Sequence, residues 1–336
     1  MDIFDFSGVK NLLELPKKIL LTSHKGPDGD ALGSSLALYH FLKKMGHDVN
    51  VMVPNSYPDF LKWMPGQENV IIYESDQKRC DHLFQTVDIL FSLDYNAPNR
   101  IGDATDAFTQ SKAIKVLIDH HIDPDLDSYN FSYSKTAITS TSELVFELID
   151  YLSADLIDKS IAECIYTGIM TDTGSFSYNC NYVRTFEIVA RLYETGMDGQ
   201  RINRLIYANN TESRLRLLGF SLSQRLKVIP EYHTAYIYLT KQDLKDYNYK
   251  DGDSEGLVNY ALSIEGIKFA ALFSERGDKI RISFRSVGEF SVNHFARNHF
   301  DGGGHRNAAG GNSFLEINKT LAEFERLLVE YKSELK

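Results

Sequence analysis

The first half of the chain alternates short apolar runs with stretches of helical spacing, and no other feature narrows its possible folds as much. Residues 18–23, 49–54, 70–73, 87–93 and 113–118 are apolar runs bounded by polar or turn residues, which predicts strands. Residues 32–44 carry apolar side chains at helical spacing between the first two runs, and 142–152 and 159–169 repeat the pattern downstream. Parallel strands need long crossovers, which helices supply. The order therefore predicts an α/β fold with a mainly parallel sheet flanked by helices.

Past residue 184 the pattern changes. Residues 185–227 are mostly helical, charged and poor in β-branched runs. Strands return at 232–239, 269–274 and 279–285, followed by a helix at 292–299 and a terminal helix from about residue 320. This predicts a first domain over 1–190, a helical linker over 191–227 and a smaller α+β domain over 228–336. A chain of 336 residues is long enough for two such cores. No internal repeat or low-complexity linker interrupts it.

Composition excludes several classes. With 43% hydrophobic and 24% charged residues the chain falls in the globular range. No apolar stretch approaches the roughly 20 residues of a membrane span. The early run Ile19-Leu20-Leu21 is too short for the core of a signal peptide. Cys80, Cys164 and Cys180 are scattered and lack metal-ligand spacing, as expected of buried thiols in a reducing compartment. A cytoplasmic protein without a membrane partner is the expectation. The formal net charge of −10 disfavours long duplexes, whose binding draws on phosphate neutralisation. A small phosphorylated substrate, or a very short oligonucleotide, suits it better.

Asp and His concentrate where predicted strands end. His24, Asp28 and Asp30 follow the first strand, Asp94 ends the run over 87–93, and Asp119-His120-His121 ends the run over 113–118. Carboxyl ends of parallel strands share one edge of an open sheet, where ligands bind. Asp172 joins them in Gly168-Ile-Met-Thr-Asp172, just after a predicted helix. Each piece has a plainer reading: Asp30 as a helix cap, Asp94 and Asp172 as turn residues. Two adjacent histidines after an apolar strand, however, seldom serve packing. Five carboxylates and three imidazoles converging without cations would repel and desolvate at a cost. Mixed Asp and His donors suit manganese, iron or zinc better than magnesium, and so many ligands suit two ions.

Ordered motifs strengthen this reading. Asp119-His120-His121 resembles the signature of the DHH phosphoesterases, and His24-x-x-Pro-Asp28-Gly-Asp30-Ala-x-Gly33-Ser34 resembles their first motif. Ser92-Leu-Asp94 with Arg100-Ile-Gly102 is similar to the second, and Thr171-Asp172-Thr-Gly-Ser-Phe to the fourth. Gly302-Gly-Gly-His305-x-x-Ala-Ala-Gly310 resembles the signature of the DHH-associated domain. The resemblance spans nearly the whole chain. It implies two divalent metal ions, manganese foremost: His24, Asp28 and Asp94 at the first; Asp30, Asp94, His120 and Asp172 at the second, with Asp94 bridging. It also implies that Asp119 orients a neighbour and that His121 faces the phosphate.

Within the family the likeness is to compact bacterial nano-RNases. These hydrolyse short single-stranded oligonucleotides and 3′-phosphoadenosine 5′-phosphate (pAp), with a homodimer as the assembly to expect. A RecJ-like single-strand exonuclease, a cyclic-dinucleotide phosphodiesterase and a non-catalytic nucleotide sensor are the alternatives.

In the second domain Ile280, Ile282 and Phe284 alternate with Arg281, Ser283 and Arg285, the pattern of a half-buried strand. Arg285-Ser286 matches the family's Arg-Ser element, so these two are assigned to substrate, and Arg281 is expected to face solvent. Gly302-Gly-Gly-His305 fits a plain flexible turn after a helix, but three consecutive glycines also expose backbone N–H groups to an anion, and Gly303, Gly304 and His305 are assigned to the substrate site. The substrate is expected in a cleft between the domains. Ser140-Thr-Ser-Glu143 reads as a capped helix start, and the family has a similar element, which leaves a secondary role near the site open.

Overall fold

The computed structural model describes residues 5–335. Helix α1 (Ser7–Leu12) leads into β1 (Lys18–Thr22), α2 (Gly29–Lys44), β2 (Asp48–Val53), β3 (Val70–Ile72) and α3 (Gln77–Thr86). Then follow β4 (Ile89–Leu93), α4 (Thr105–Gln110), β5 (Ile114–Asp119) and β6 (Phe131–Ser134). The six strands form one sheet in the order β3-β2-β1-β4-β5-β6, every neighbouring pair parallel. The order reverses between β1 and β4. That reversal opens a crevice at the carboxyl ends of the strands.

Successive residues of a strand face opposite sides, and β1 shows what this does. Ile19 and Leu21 enter a core with Leu36, Phe41 and Phe146, whereas Leu20 enters a second core with Leu90 and Phe108. Covered on both faces, the strands read as continuous apolar runs. Helices α5 (Thr141–Ser153), α6 (Lys159–Asp172), α7 (Val183–Glu194) and α8 (Gly199–Tyr207) complete the first of these cores.

The residues expected as a linker do not stand apart. In α7 and α8 the pairs Ile188/Leu192 and Ile202/Ile206, each four residues apart, lie on the same core as α2. Their charged residues cover only the outward faces, which is why the stretch reads as polar. The first compact unit ends at Asn209 and the second begins at Asn210, where boundaries at 190 and 228 were expected.

The second unit contains α9 (Glu212–Phe220), β7 (Leu226–Ile229), β8 (Thr234–Leu239), α10 (Lys241–Asp246), α11 (Leu257–Leu262), β9 (Phe269–Arg276) and β10 (Lys279–Ser286). It closes with α12 (Val292–His299), β11 (Gly303–Gly304), β12 (Ala308–Ser313) and α13 (Ile317–Glu330). Its strands lie in the order β11-β12-β10-β9-β8-β7, and of these pairs only β8 with β9 is parallel. Phe269, Phe273, Phe284, Phe295 and Phe324 fill its core, ring against ring.

Four strands were not expected, among them the two-residue β11 that pairs with β12. β6 is a short edge strand, Phe-Ser-Tyr-Ser, and β7 continues directly from a helical segment. β12 is Ala-Ala-Gly-Gly-Asn-Ser, without a β-branched or aromatic residue; backbone pairing along β10, from Ile280↔Ser313 to Arg285↔Ala308, makes it a strand. Among the described residues no helix is long and apolar enough to cross a membrane. Cys80, Cys164 and Cys180 are buried and free, as the sequence suggests.

Candidate metal centre

The turn after β1 uses its acidic residues twice. Asp28 is the N-cap of α2: its Oδ1 accepts from the N–H groups of Asp30 (3.0 Å) and Ala31 (3.1 Å). The cap is thus Asp28 and not Asp30, and its other oxygen, Oδ2, lies 3.8 Å from His24 Nε2. Asp30 is held from elsewhere. Its Oδ2 accepts from Thr141 N–H (2.7 Å) and its Oδ1 from Ser142 N–H (2.8 Å). These are first-turn donors of α5, which an ideal helix leaves without partners and which favour a negative charge.

Asp94 follows β4 with φ = 66°, a left-handed conformation that costs a non-glycine residue about 1–3 kcal/mol. Strain at such a position is stored where the surroundings enforce it. Its Oδ2 lies 3.4 Å from His24 Nε2; its Oδ1 lies 3.4 Å from His120 Nε2 and accepts from Thr141 Oγ1 at 3.0 Å. Asp172, the last residue of α6, places Oδ2 3.6 Å from His120 Nε2, and Asp30 Oδ2 is 3.8 Å from the same nitrogen.

Glycines bring α2 and α6 close enough for this. A Cβ on Gly33 would sit 2.6 Å from the Cys164 carbonyl oxygen. One on Gly168 would collide with Ser142 Oγ and Asp30 Oδ1. Gly168 and Thr141 therefore shape the centre although the sequence reading assigned neither to it. The only hint is their place: Gly168 one helical turn before Asp172, and Thr141 beside the helix cap.

The distances sort the histidines. Separations of 3.4–3.8 Å from His24 and His120 to their carboxylates exceed a hydrogen bond. Two donors each about 2.1 Å from one cation lie about 3.0–4.2 Å apart, so these gaps fit ions. Two groups gather their donor atoms within 4.8 Å of one another around these gaps: His24, Asp28 and Asp94, and Asp30, His120 and Asp172. His121 differs. Its Nδ1 is 2.7 Å from Asp119 Oδ1, and its N–H donates to Asp119 Oδ2 at 3.1 Å. Asp94 also comes near, but the short Asp119–His121 contact is a hydrogen bond, with no space for an ion between those two atoms.

Electrostatics agree with this division. Burial alone would lower His24, yet Asp94 and Asp28 outweigh it and lift its pKa to about 9. Burial likewise opposes His120, and Asp172, Asp94 and Asp30 lift it to about 10. Burial, with Asp94 and Asp172 nearby, raises Asp30 well above the carboxylate range. Burial and its acidic neighbours Asp94 and Asp28 bring Asp172 to about 6. Asp94 goes the other way: against burial, the facing imidazoles of His120 and His24 hold it well below the usual range. Without cations the cluster gathers protons. Its donor set suits divalent ions that would take their place.

Residues 18–169 match the DHH family, N-terminal domain, and residues 231–330 match the DHHA1 domain. The chain belongs to the DHH family. It is 28% identical over 327 residues to the bifunctional oligoribonuclease and PAP phosphatase NrnA of Bacillus subtilis, covering 95% of this chain and 97% of that protein. The crystal structure of an exopolyphosphatase-related protein from Bacteroides fragilis superposes with a TM-score of 0.94 at 44% identity, covering 98% of this chain and 97% of that one. RecJ from Thermus thermophilus, solved with Mn2+, shares the fold at a TM-score of 0.59 and 14% identity, covering 99% of this chain and 55% of RecJ.

In the DHHA1 domain Ile280, Ile282 and Phe284 of β10 are buried and Arg281 is exposed. Arg285 is half-buried, with Nη1 donating to its neighbour's carbonyl, Phe284 O, at 3.0 Å. The Ser286 hydroxyl is engaged internally: it donates to Phe290 O (2.7 Å) and accepts from Asn307 Nδ2 (2.8 Å). The glycine triplet follows from the β11–β12 hairpin. A Cβ on Gly302 would strike the Gly310 carbonyl, and Gly304 has φ = 147° with Ala308 O only 2.6 Å from a Cβ. Gly303 has room, its nearest neighbours being Asn293 Oδ1 at 3.6 Å and Arg297 Nε at 3.7 Å. His305 N–H donates to Ala308 O at 2.7 Å and closes the hairpin.

Proposed function

We propose that the chain hydrolyses phosphoester bonds in very short oligonucleotides, releasing mononucleotides, and in pAp, with two divalent cations of which manganese is the foremost candidate. The observation that carries this reading is the pair of ion-sized gaps that meet at Asp94. His24, Asp28 and Asp94 would hold one cation; Asp30, Asp94, His120 and Asp172 would hold the other. Bound cations supply Lewis acidity and lower the pKa of water, the chemistry an in-line attack on phosphorus requires.

The protein's own groups do the rest. Asp119 fixes the ring of His121 through Nδ1 and so directs its Nε2 edge away from the carboxylate, toward a phosphoryl oxygen. Thr141 holds Asp30 and Asp94 in register, and α5 adds the favourable field of its N-terminus. Arg285 offers a planar fork for a phosphate, and Gly303, Gly304 and His305 are proposed to contact the same substrate. Ser286 enters the substrate site by holding the turn after β10. The names of the B. subtilis relative support the two substrates, and the Mn2+ in RecJ supports the metal.

The test is a product time course with the manganese-loaded protein. Substrates are pAp, a linear dinucleotide and labelled oligomers of increasing length, with polyphosphate added because the B. fragilis relative is described as exopolyphosphatase-related. Hydrolysis of pAp and the dinucleotide, falling steeply with length, is the expected result. Intact pAp and dinucleotide, or faster cleavage of polyphosphate, would overturn it.

A further inference from the structure

We infer that Tyr95 is a positioning residue for the metal centre, its buried hydroxyl tying the ends of β1 and β4 together beneath His24 and Asp94. The inference rests on the two-cation reading above.

Thr22 and Ser92 are register partners on the last paired rung of β1 and β4. His24 and Asp94 lie two residues beyond that rung on their respective chains. The Tyr95 hydroxyl sits at the rung itself: it donates to Ser92 Oγ at 2.6 Å and lies 2.7 Å from Thr22 Oγ1. Thr22 Oγ1 is in turn 3.0 Å from Phe91 O of β4. One phenol thus spans both strands at the sheet's switch point.

The position of Tyr95 in the chain adds weight. It immediately follows Asp94, whose left-handed backbone (φ = 66°) persists only if its surroundings enforce it. On one side Asp94 N–H donates to Ile118 O of β5 at 3.1 Å. On the other the ring of Tyr95 is fully buried in the core containing Leu20, Leu90 and Phe108. Asp94 faces both His24 and His120, and on the two-cation reading it would bridge both ions, so a small swing of its carboxylate would loosen both. A buried tyrosine also needs a partner for its hydroxyl whatever its role. What separates the readings is the metal, because a merely satisfied hydroxyl would leave metal affinity unmoved.

The experiment titrates Mn2+ into the full chain and follows unbound Mn2+ by electron paramagnetic resonance, for wild type, Tyr95→Phe and Tyr73→Phe. Tyr73 belongs to the same core and its hydroxyl donates to Asp81 Oδ1 at 2.8 Å, so the control removes a comparable group away from Asp94. Tyr95→Phe is expected to bind Mn2+ about 10–100-fold more weakly, the range seen when a ligand loses its outer support. Tyr73→Phe is expected to bind as wild type does. Should Tyr95→Phe fail to fold, Ser92→Ala is read in its place, with the same weakening expected. Wild-type affinity in Tyr95→Phe, or equal weakening in Tyr73→Phe, would overturn the proposal. A wild-type chain that bound no Mn2+ would overturn the two-cation reading itself.

Discussion

The parallel sheet and the mixed sheet hold their candidate residues by opposite means. At the edge of the first, Asp30, Asp94, Asp119 and His120 are buried, charged and crowded, positioned by strand ends and by the start of α5. At the edge of the second, Arg285 and His305 are half-buried, and the local shape comes from glycines that bring backbones together. Charge governs one region and backbone geometry the other. The first is therefore costly until cations arrive, whereas the second needs nothing bound to keep its form.

The largest expected difference lies in catalysis. His120→Ala removes the imidazole facing Asp30, Asp94 and Asp172. Its kcat should fall by more than the roughly 10–100-fold that loss of an outer support costs. Arg285→Ala should instead raise KM, with kcat/KM down about 10–100-fold, the value of one charge-assisted contact. Steady-state kinetics on pAp measure both. A pure kcat loss in Arg285→Ala would break the contrast.

Metal removal should separate the two regions next. Raised imidazole pKa values of about 9 and 10 mean that the folded, metal-free state binds these protons more tightly than the unfolded chain, whose histidines titrate near 6.5. Their stabilisation is fully present below about 6.5 and is lost as pH rises through about 9 and 10. Asp172, raised to about 6, has the same sign at lower pH. The chelated protein should therefore lose several degrees of Tm between pH 7 and 10. The Mn2+-loaded protein, whose histidines are already deprotonated, should change less, and loading at pH 7 should release protons. Differential scanning calorimetry with and without chelator checks both signs.

Glycines should give a smaller but cleaner contrast. Gly168→Ala forces a methyl group into Ser142 Oγ and Asp30 Oδ1, and is expected to destabilise the chain by about 1–3 kcal/mol while weakening Mn2+ binding. Gly303→Ala meets nothing closer than 3.6 Å and should leave stability nearly unchanged. Any loss of pAp affinity in Gly303→Ala would then report on substrate contact and not on the hairpin. Denaturant melts and Mn2+ titrations distinguish these outcomes.

The same contrast decides what was legible in the sequence. β1, β4 and β5 are buried on both faces, so each is a continuous apolar run, and the Asp and His residues that end them announce a shared edge. β12 was not legible, since Ala-Ala-Gly-Gly-Asn-Ser has no strand propensity and exists as a strand only against β10. Ser140 does cap α5, accepting from Glu143 N–H at 3.2 Å, as the motif suggests. Thr141, its neighbour, reaches Asp30 across 111 positions of sequence, and no local pattern encodes that. Gly168 is similar: its meaning is the oxygen atoms a methyl group would strike, and these belong to two other helices.

The smallest expected effect tests whether the second sheet's grip is a discrete contact. Arg281 and Arg285 lie four residues apart on β10, so the strand's period of two puts both on one face. Arg281 is exposed and stands opposite Asn312, whereas Arg285 is half-buried, opposite Ala308 and beside the glycine hairpin. Only Arg285 is placed to give a phosphate a partly desolvated partner; at Arg281 water and salt screen the charge. Arg281→Ala should therefore change stability by no more than about 0.5 kcal/mol and leave the KM for pAp near the wild-type value. If Arg281→Ala raised KM as much as Arg285→Ala, with both effects vanishing at high salt, the grip would be a diffuse positive field and not a fork on one phosphate.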